Sequence, residues 1–151
     1  MTPLFKKLNF KNQKTVHVMG HPTSFLQEIE AMQAFVTFSF NTSEVDLIEF
    51  IVIFVMSQDD IKNALEKIIS KCNENTILWF CYPKGTSKKY KCAINRDNGW
   101  QMLGDLGYEG VRQIAIDEDW SALRFKKVET IKTLKRDFAM SAMGKKRTGK
   151  L

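Results

Sequence analysis

The sequence predicts a single α/β domain, a three-layer sandwich in which helices cover both faces of a mostly parallel sheet. Short runs of branched and aromatic residues alternate with amphipathic stretches of helical period, and this alternation is typical of parallel strands joined by helices. The 151 residues, 44% of them hydrophobic, are enough for one core. These two observations exclude a disulfide-stapled miniprotein, a collagen-like chain and a mostly disordered chain.

The first predicted unit is a strand, a tight turn and a helix. Residues 15–20 form a short apolar run that ends at Gly20, which is typical of a buried strand. Ser24 is followed three residues later by Gln27, a spacing that predicts a capping box at the start of the next helix. The segment 1–14 before the strand is basic and contains apolar residues at helical spacing, namely Leu4, Phe5 and Leu8.

The middle of the chain predicts three further strands, with a helix between the last two of them. Residues 35–40 alternate in the manner of a strand, and residues 46–57 are the most apolar stretch, which indicates a central strand buried on both faces. Ser57 and Asp60 predict a second capping box, with an amphipathic helix after it. Residues 76–82 form another buried strand.

The last elements of the predicted body are a short helix and a hairpin. Asp97 or Asn98 is suited to cap a helix that ends at Gly107. Two strand-like runs, 111–117 and 122–128, are separated by only four residues, so we expect them to pair antiparallel. The domain is therefore predicted to span 1–128.

The positive charge of the chain is concentrated at its end. Residues 1–125 carry 14 Lys/Arg against 15 Asp/Glu, a net of −1, whereas residues 126–151 carry 9 against 2, a net of +7. Residues 129–151 are predicted to be a basic tail, first a short amphipathic helix and then disordered. An acidic protein or a nucleic acid is a candidate partner of residues 126–151, and the alternative is a tail that only increases solubility.

The order of elements resembles a Rossmann-type methyltransferase core that has lost one strand–helix unit. Four segments also resemble a bacterial domain family of unknown function with such a trimmed core, over roughly residues 7–127. They are the strand ending in Gly20-His-Pro, the strand running to Val55-Met-Ser57, the Leu78-Trp-Phe-Cys-Tyr-Pro-Lys84 segment and the Ile116-Asp-Glu-Asp-Trp-Ser-Ala-Leu-Arg-Phe125 segment. The resemblance implies the fold, and it implies no activity.

A nucleotide-type ligand of such a fold would lie in the crevice beyond the first strand. The turn there contains one glycine, Gly20, and then Pro22, which lacks an N–H donor. Only Glu44 is available after the second strand to hold ribose hydroxyls, and it lies late. These departures favour a structural turn over a cofactor cradle, so the first prediction is that no cofactor binds and the alternative is S-adenosylmethionine.

Four residues are the candidates for the crevice if a ligand does bind there: Gly20, His21, Ser57 and Lys84. His17 and His21 flank a strand end and point to different surroundings, so we predict no metal site. Asp117 and Asp119 are expected to belong to the hairpin turn, with Arg124 as an ion-pair partner.

No complete catalytic constellation is present, and the first functional interpretation is a non-catalytic interaction or regulatory domain. The alternatives are a small S-adenosylmethionine-dependent methyltransferase-like enzyme and nucleic-acid binding through the basic tail. Three cysteines without a Cys-x-x-Cys pair, and the lack of a signal peptide or membrane-length apolar run, predict a cytoplasmic protein that does not contact membranes.

Overall fold

The computed structural model of the chain describes residues 1–128, which form one six-stranded sheet with the spatial strand order β2-β1-β3-β4-β6-β5. The strands are β1 (Thr15–Met19), β2 (Thr37–Ser39), β3 (Phe50–Phe54), β4 (Ile77–Pro83), β5 (Tyr108–Ala115) and β6 (Trp120–Lys127). The predicted α/β sheet with its closing hairpin is thus confirmed. The predictions for the basic tail fall on residues 129–151, outside the described residues.

The parallel half of the sheet reverses its order next to β1. β2 pairs with one side of β1, and β3 pairs with the other side, all three in parallel. The chain therefore crosses over β1 between its second and third strands, and a crevice opens beyond the carboxyl ends of β1 and β3. All five residues of β3 are buried, as predicted for a central strand.

The remaining strands introduce one reversal of direction. β4 is parallel to β3, β6 runs antiparallel to β4, and β5 pairs antiparallel with β6 at the edge of the sheet. Because β6 is reversed, it starts beside Pro83 at the crevice end and reaches the opposite end of the sheet beyond Phe125. Val128 then donates its N–H to the Gly107 carbonyl at 2.9 Å, so the polypeptide leaves the sheet at the end away from the crevice.

One face of the sheet is covered by α1 (Pro3–Lys7) and α2 (Leu26–Met32). Phe5 is fully buried there and contacts four other phenylalanine rings at centroid distances of 6.0 to 6.3 Å. The indole N–H of Trp79 in β4 donates to the Leu8 carbonyl at 2.9 Å, which fastens the N-terminal segment to the middle of the sheet. The three apolar residues at helical spacing, Leu4, Phe5 and Leu8, are all buried, the first two in α1 and the third at its C-cap.

The other face is covered by α3 (Gln58–Ile68) and α4 (Gln101–Asp105). The side chains that pack beneath them make up a second apolar cluster, which includes Ile61, Leu65, Phe80, Trp100, Leu103 and Phe125. Helices on both faces confirm the three-layer arrangement. No helix within residues 1–128 is long and apolar enough to cross a bilayer.

Two of the predicted helix caps are wrong. Ser24 makes no capping bond, because residues 23–25 form a 3-10 turn before α2, and its hydroxyl instead donates to Asp117 at 3.1 Å. α4 begins after Trp100 and has no side-chain cap, so neither Asp97 nor Asn98 caps it. The cap at α3 is confirmed, since the Ser57 hydroxyl accepts from the Asp60 N–H at 3.1 Å.

Candidate functional site

The crevice begins at the turn after β1, where Gly20 has a φ of +68°. A Cβ atom on this residue would lie 2.8 Å from the Phe54 carbonyl oxygen at the end of β3. Both the left-handed backbone and the close approach require glycine. The absence of a side chain at Gly20 therefore allows the ends of β1 and β3 to lie close together where the strand order reverses.

A cavity of about 410 Å³ lies at this position, a volume in the range of small-molecule sites. Trp120, the first residue of β6, forms part of its wall and packs edge-on against Phe54 with ring centroids 5.1 Å apart. Tyr90 lies on the other side of Trp120, also at 5.1 Å. The indole N–H of Trp120 is buried and has no acceptor among residues 1–128, so this residue of the wall carries an unsatisfied donor.

The polar part of the cavity wall comes from one side of α3, from its first turn to its last. Asp60, Asn63 and Lys67 line it. The Asp60 carboxylate is already engaged, because it accepts the Met56 N–H at 2.9 Å and so closes the loop between β3 and α3. Asn63 and Lys67 are exposed and lie one turn apart on the helix, which leaves an amide and a cation facing this space.

The β2 side of the crevice is formed by an aromatic pair and a polar loop. The ring of His21 lies 5.3 Å from that of Phe40, which follows β2 and is 55% exposed. The amide oxygen of Asn41 accepts the Ser43 N–H at 2.9 Å, and Glu44 is exposed further along the loop. No carboxylate follows β2 directly, at the place where dinucleotide-binding folds hold ribose hydroxyls.

Lys84 lines a separate cavity of about 470 Å³ at the end of β4. The wall contains a second cation, Arg96, and the hydroxyl of Tyr82, which accepts from the Gln113 side-chain amide at 3.0 Å. Burial is the main cause that raises the pKa of Tyr82 to about 12. Tyr82 therefore stays protonated at neutral pH and is a hydrogen-bonding group rather than a base.

The loop between β4 and α4 separates the two cavities and is fixed at both sides. The Cys92 thiol donates to the Met56 carbonyl beside the crevice at 2.8 Å. The Ser87 hydroxyl donates to Asp119 at 2.7 Å, and the Lys84 N–H donates to the Asp119 carbonyl at 2.8 Å. Side-chain and backbone bonds of this loop thus hold the walls of both cavities in place.

The two histidines lie in different surroundings, as predicted. His17 is 2% exposed, and burial, followed by the charge of Lys71, lowers the pKa of its imidazole, while Glu49 opposes this shift. His21 lies at the surface of the crevice against Phe40. Residues 1–128 contain no group of three or more metal-ligating side chains close enough to hold a metal ion.

Asp117 belongs to the hairpin turn, in agreement with the sequence. Its carboxylate accepts the N–H groups of Asp119 and Trp120 at 2.8 and 2.9 Å. Arg124 does not pair with either aspartate, contrary to prediction. It lies in β6, four residues after Trp120, and its register partners are Trp79 in β4 and Arg112 in β5.

The four predicted crevice residues do not line one cavity. Gly20 lines the crevice cavity and Lys84 lines the second one, whereas neither cavity wall includes His21 or Ser57. Sequence reasoning missed Trp120 as a site residue, and the structure places it in the crevice wall at 3% exposure. Its register opposite Pro83 brings it there, and that register depends on the strand order.

Comparison with known proteins identifies the fold. The chain matches no protein-family model, and no curated protein is significantly similar to it in sequence. Among solved structures it is similar to an S-adenosylmethionine-dependent methyltransferase from Aquifex aeolicus, with a TM-score of 0.57 and 13% identity. That match covers 83% of this chain and 88% of the other.

Two further methyltransferase structures are similar to this chain in fold. A protein from Sulfolobus solfataricus assigned to the type 11 methyltransferases matches with a TM-score of 0.53 and 10% identity, covering 91% of this chain and 95% of the other. A ribosomal protein L11 methylase from Lactobacillus delbrueckii subsp. bulgaricus matches with a TM-score of 0.50 and 12% identity, over 82% and 75% of the two chains. At these identities the likeness concerns the fold, and the chain has a methyltransferase-like Rossmann fold.

Proposed function

We propose that the chain binds S-adenosylmethionine, or its demethylated product, in the crevice between β1 and β3. The observation that carries this proposal is the unsatisfied indole N–H of Trp120 in the wall of a cavity of about 410 Å³ beside the Gly20 turn. A buried donor without an acceptor is costly, and an acceptor on a bound ligand removes that cost. Three free thiols fit a reducing cytoplasm as the location.

Three residues in the cavity wall match the chemistry of this ligand. Trp120 offers an aromatic surface and a donor for an adenine or ribose acceptor. Lys67 offers a positive charge for the carboxylate of the methionine part, and the Asn63 amide can both donate and accept. When bound, S-adenosylmethionine supplies an activated methyl group, and these residues would hold and orient it. We assign no catalytic residue.

One observation favours a second candidate, a domain without a cofactor that acts through interaction. The rings of His21 and Phe40 pack against each other, tilted by 35°, on the β2 side of the crevice, and no carboxylate follows β2 directly. A ligand with a ribose would then find its hydroxyl partners only on α3. The two candidates differ in one measurable property, which is saturable binding of S-adenosylmethionine.

Calorimetric titration of the full chain with S-adenosylmethionine and with S-adenosylhomocysteine tests the proposal. We expect saturable binding with one site per chain, and Trp120→Phe is expected to weaken it about tenfold because it keeps the ring and removes the N–H. Lys67→Gln is expected to weaken S-adenosylmethionine binding while leaving adenosine binding unchanged.

The matched control is Trp79→Phe, which also loses a buried indole N–H but lies in the middle of the sheet, outside the cavity wall and bonded to Leu8. This variant is expected to be less stable and to bind with wild-type affinity. Absence of saturable binding by the folded wild-type chain at millimolar ligand would reject the proposal and favour the interaction domain. Equal weakening of ligand binding by both tryptophan variants would show that the Trp120 N–H does not contact the ligand.

A further inference from the structure

Two arginines face each other across the last pair of strands. Arg112 in β5 and Arg124 in β6 are register partners in the antiparallel ladder, directly beyond a β-bulge between Gly110 and Arg112. Directly opposed residues in an antiparallel pair project to the same face, so the two guanidinium groups share one surface. Arg112 is exposed and Arg124 is half-buried.

This pair is electrostatically unfavourable in the isolated domain. Neither guanidinium forms an ion pair with an acid within residues 1–128, and the Nε of Arg124 is buried without an acceptor. Burial, followed by the charge of Arg112, lowers the pKa of Arg124. Like charges placed directly opposite each other in a sheet destabilise it, and an unmatched buried donor adds to this cost. An anion bound between the two side chains would relieve both effects.

The positive charge continues along β6 towards the end of the sheet. Lys126 is two residues beyond Arg124 and therefore lies on the same face, about 7 Å further along the strand. Its register partner Glu109 is buried, at 1% exposure, and the group Arg112, Arg124, Lys126 and Glu109 carries a formal net charge of +2. From Lys126 onward the sequence has a net charge of +7.

We propose that the β5–β6 surface formed by Arg112, Arg124 and Lys126 binds the phosphate backbone of a nucleic acid. Three cations on one face, two of them opposed across the strands and the third about 7 Å further along, match a chain of phosphates better than a single small anion. Arginine is suited to this role because its planar fork contacts two phosphate oxygens at once. This surface is far from the crevice cavity along β6, so the inference does not depend on the ligand proposed there.

Fluorescence anisotropy with a labelled single-stranded 20-nucleotide DNA and its RNA equivalent tests this proposal on the full chain. The double variant Arg112→Gln/Arg124→Gln is expected to bind at least tenfold more weakly at low salt. The slope of log affinity against log salt is expected to fall by about two, because two phosphate contacts are lost. The thermal midpoint of the variant should be equal to or above that of the wild type, since the repulsion is removed.

Lys84→Gln/Arg96→Gln is the matched control, because it removes the same charge from the opposite end of the sheet. It should change the affinity by less than twofold. Equal losses in the two double variants, or no loss in the arginine variant, would show that the arginine pair is not the binding surface. A polyglutamate that displaces the oligonucleotide at equal charge concentration would contradict the proposal and indicate an acidic protein as partner.

Discussion

The carbonyl oxygen of Phe54 lies 2.8 Å from the position that a Cβ atom on Gly20 would occupy. This contact joins the carboxyl ends of β1 and β3, where the strand order reverses and the crevice opens. One of these atoms is a backbone oxygen, and the position of the other, a Cβ, is set by the backbone. No side-chain rotation can therefore relieve the contact. The crevice and the stability of the central strands therefore depend on the same glycine.

Gly20→Ala is expected to lower the free energy of unfolding by about 2–4 kcal/mol, the sum of a left-handed backbone and a clash. Two other glycines separate these causes. Gly107 has a φ of +85° and free space around it, so Gly107→Ala should cost about 1–2 kcal/mol. Gly85 has neither a positive φ nor a contact, and its replacement should change stability by less than about 0.5 kcal/mol. Urea denaturation of the three variants measures the series, and an equal cost for Gly20 and Gly107 would rule out the clash.

Ser57→Ala should destabilise the domain by about 1 kcal/mol, because it removes the acceptor for the Asp60 N–H at the start of α3. Ser57→Asp should restore most of the loss, since aspartate accepts the same bond. Thermal unfolding by circular dichroism gives both values. Ser70→Ala, at an exposed position beyond α3, is the control and should leave the midpoint unchanged. Failure of aspartate to rescue Ser57→Ala would mean that the hydroxyl acts in another way.

The stability of the domain should fall when the pH drops below the ordinary histidine pKa of 6.5. Burial lowers the pKa of His17 in the folded chain, so below pH 6.5 the unfolded chain binds a proton that the folded chain does not. The slope contributed by this group approaches about 1.4 kcal/mol per pH unit until the pH reaches its folded pKa. Urea denaturation of wild type and His17→Leu between pH 7.5 and pH 5 isolates this contribution. A wild-type slope that persists unchanged in the variant would assign the effect to other groups.

The thiols should differ in their reaction with a disulfide reagent. Burial is the main cause that raises the pKa of Cys72 to about 11, and it raises the pKa of Cys81 well above its ordinary value. Because the thiolate is the reacting form, Cys81 should react only at the rate of global unfolding, and Cys72 slowly. Mass spectrometry after timed labelling at pH 7.5 identifies the residues. Rapid modification of Cys81 in the folded chain would mean that β4 opens locally.

The sequence predicts the fold well because each element carries its own signal. The apolar run containing Phe50–Phe54 indicates a central strand, and the spacing of Ile61, Leu65 and Ile68 indicates a helix with one buried face. These signals depend on neighbours within a few positions. The short separation of β5 and β6 likewise predicts their pairing without knowledge of the rest of the chain.

The site could not be predicted to the same extent, because it depends on contacts between distant residues. Trp120 reaches the crevice only through the register of β6 with β4, and Arg124 meets Arg112 only through a bulge that no residue pattern announces. The same limit applies to Ser24, whose hydroxyl bonds to Asp117, 93 positions away, instead of capping its own helix. Lys84 follows its strand as expected, yet the fixed loop after β4 directs it to a different cavity.

The reversed direction of β6 determines at which end of the sheet the domain can be attached to a surface. Between its partners Pro83 and Leu78 the strand travels about 17 Å away from the crevice. Val128 therefore lies on the side opposite the Gly20 turn. A chain truncated after Val128 and attached to a surface through that residue would be held from the end of the sheet away from the crevice.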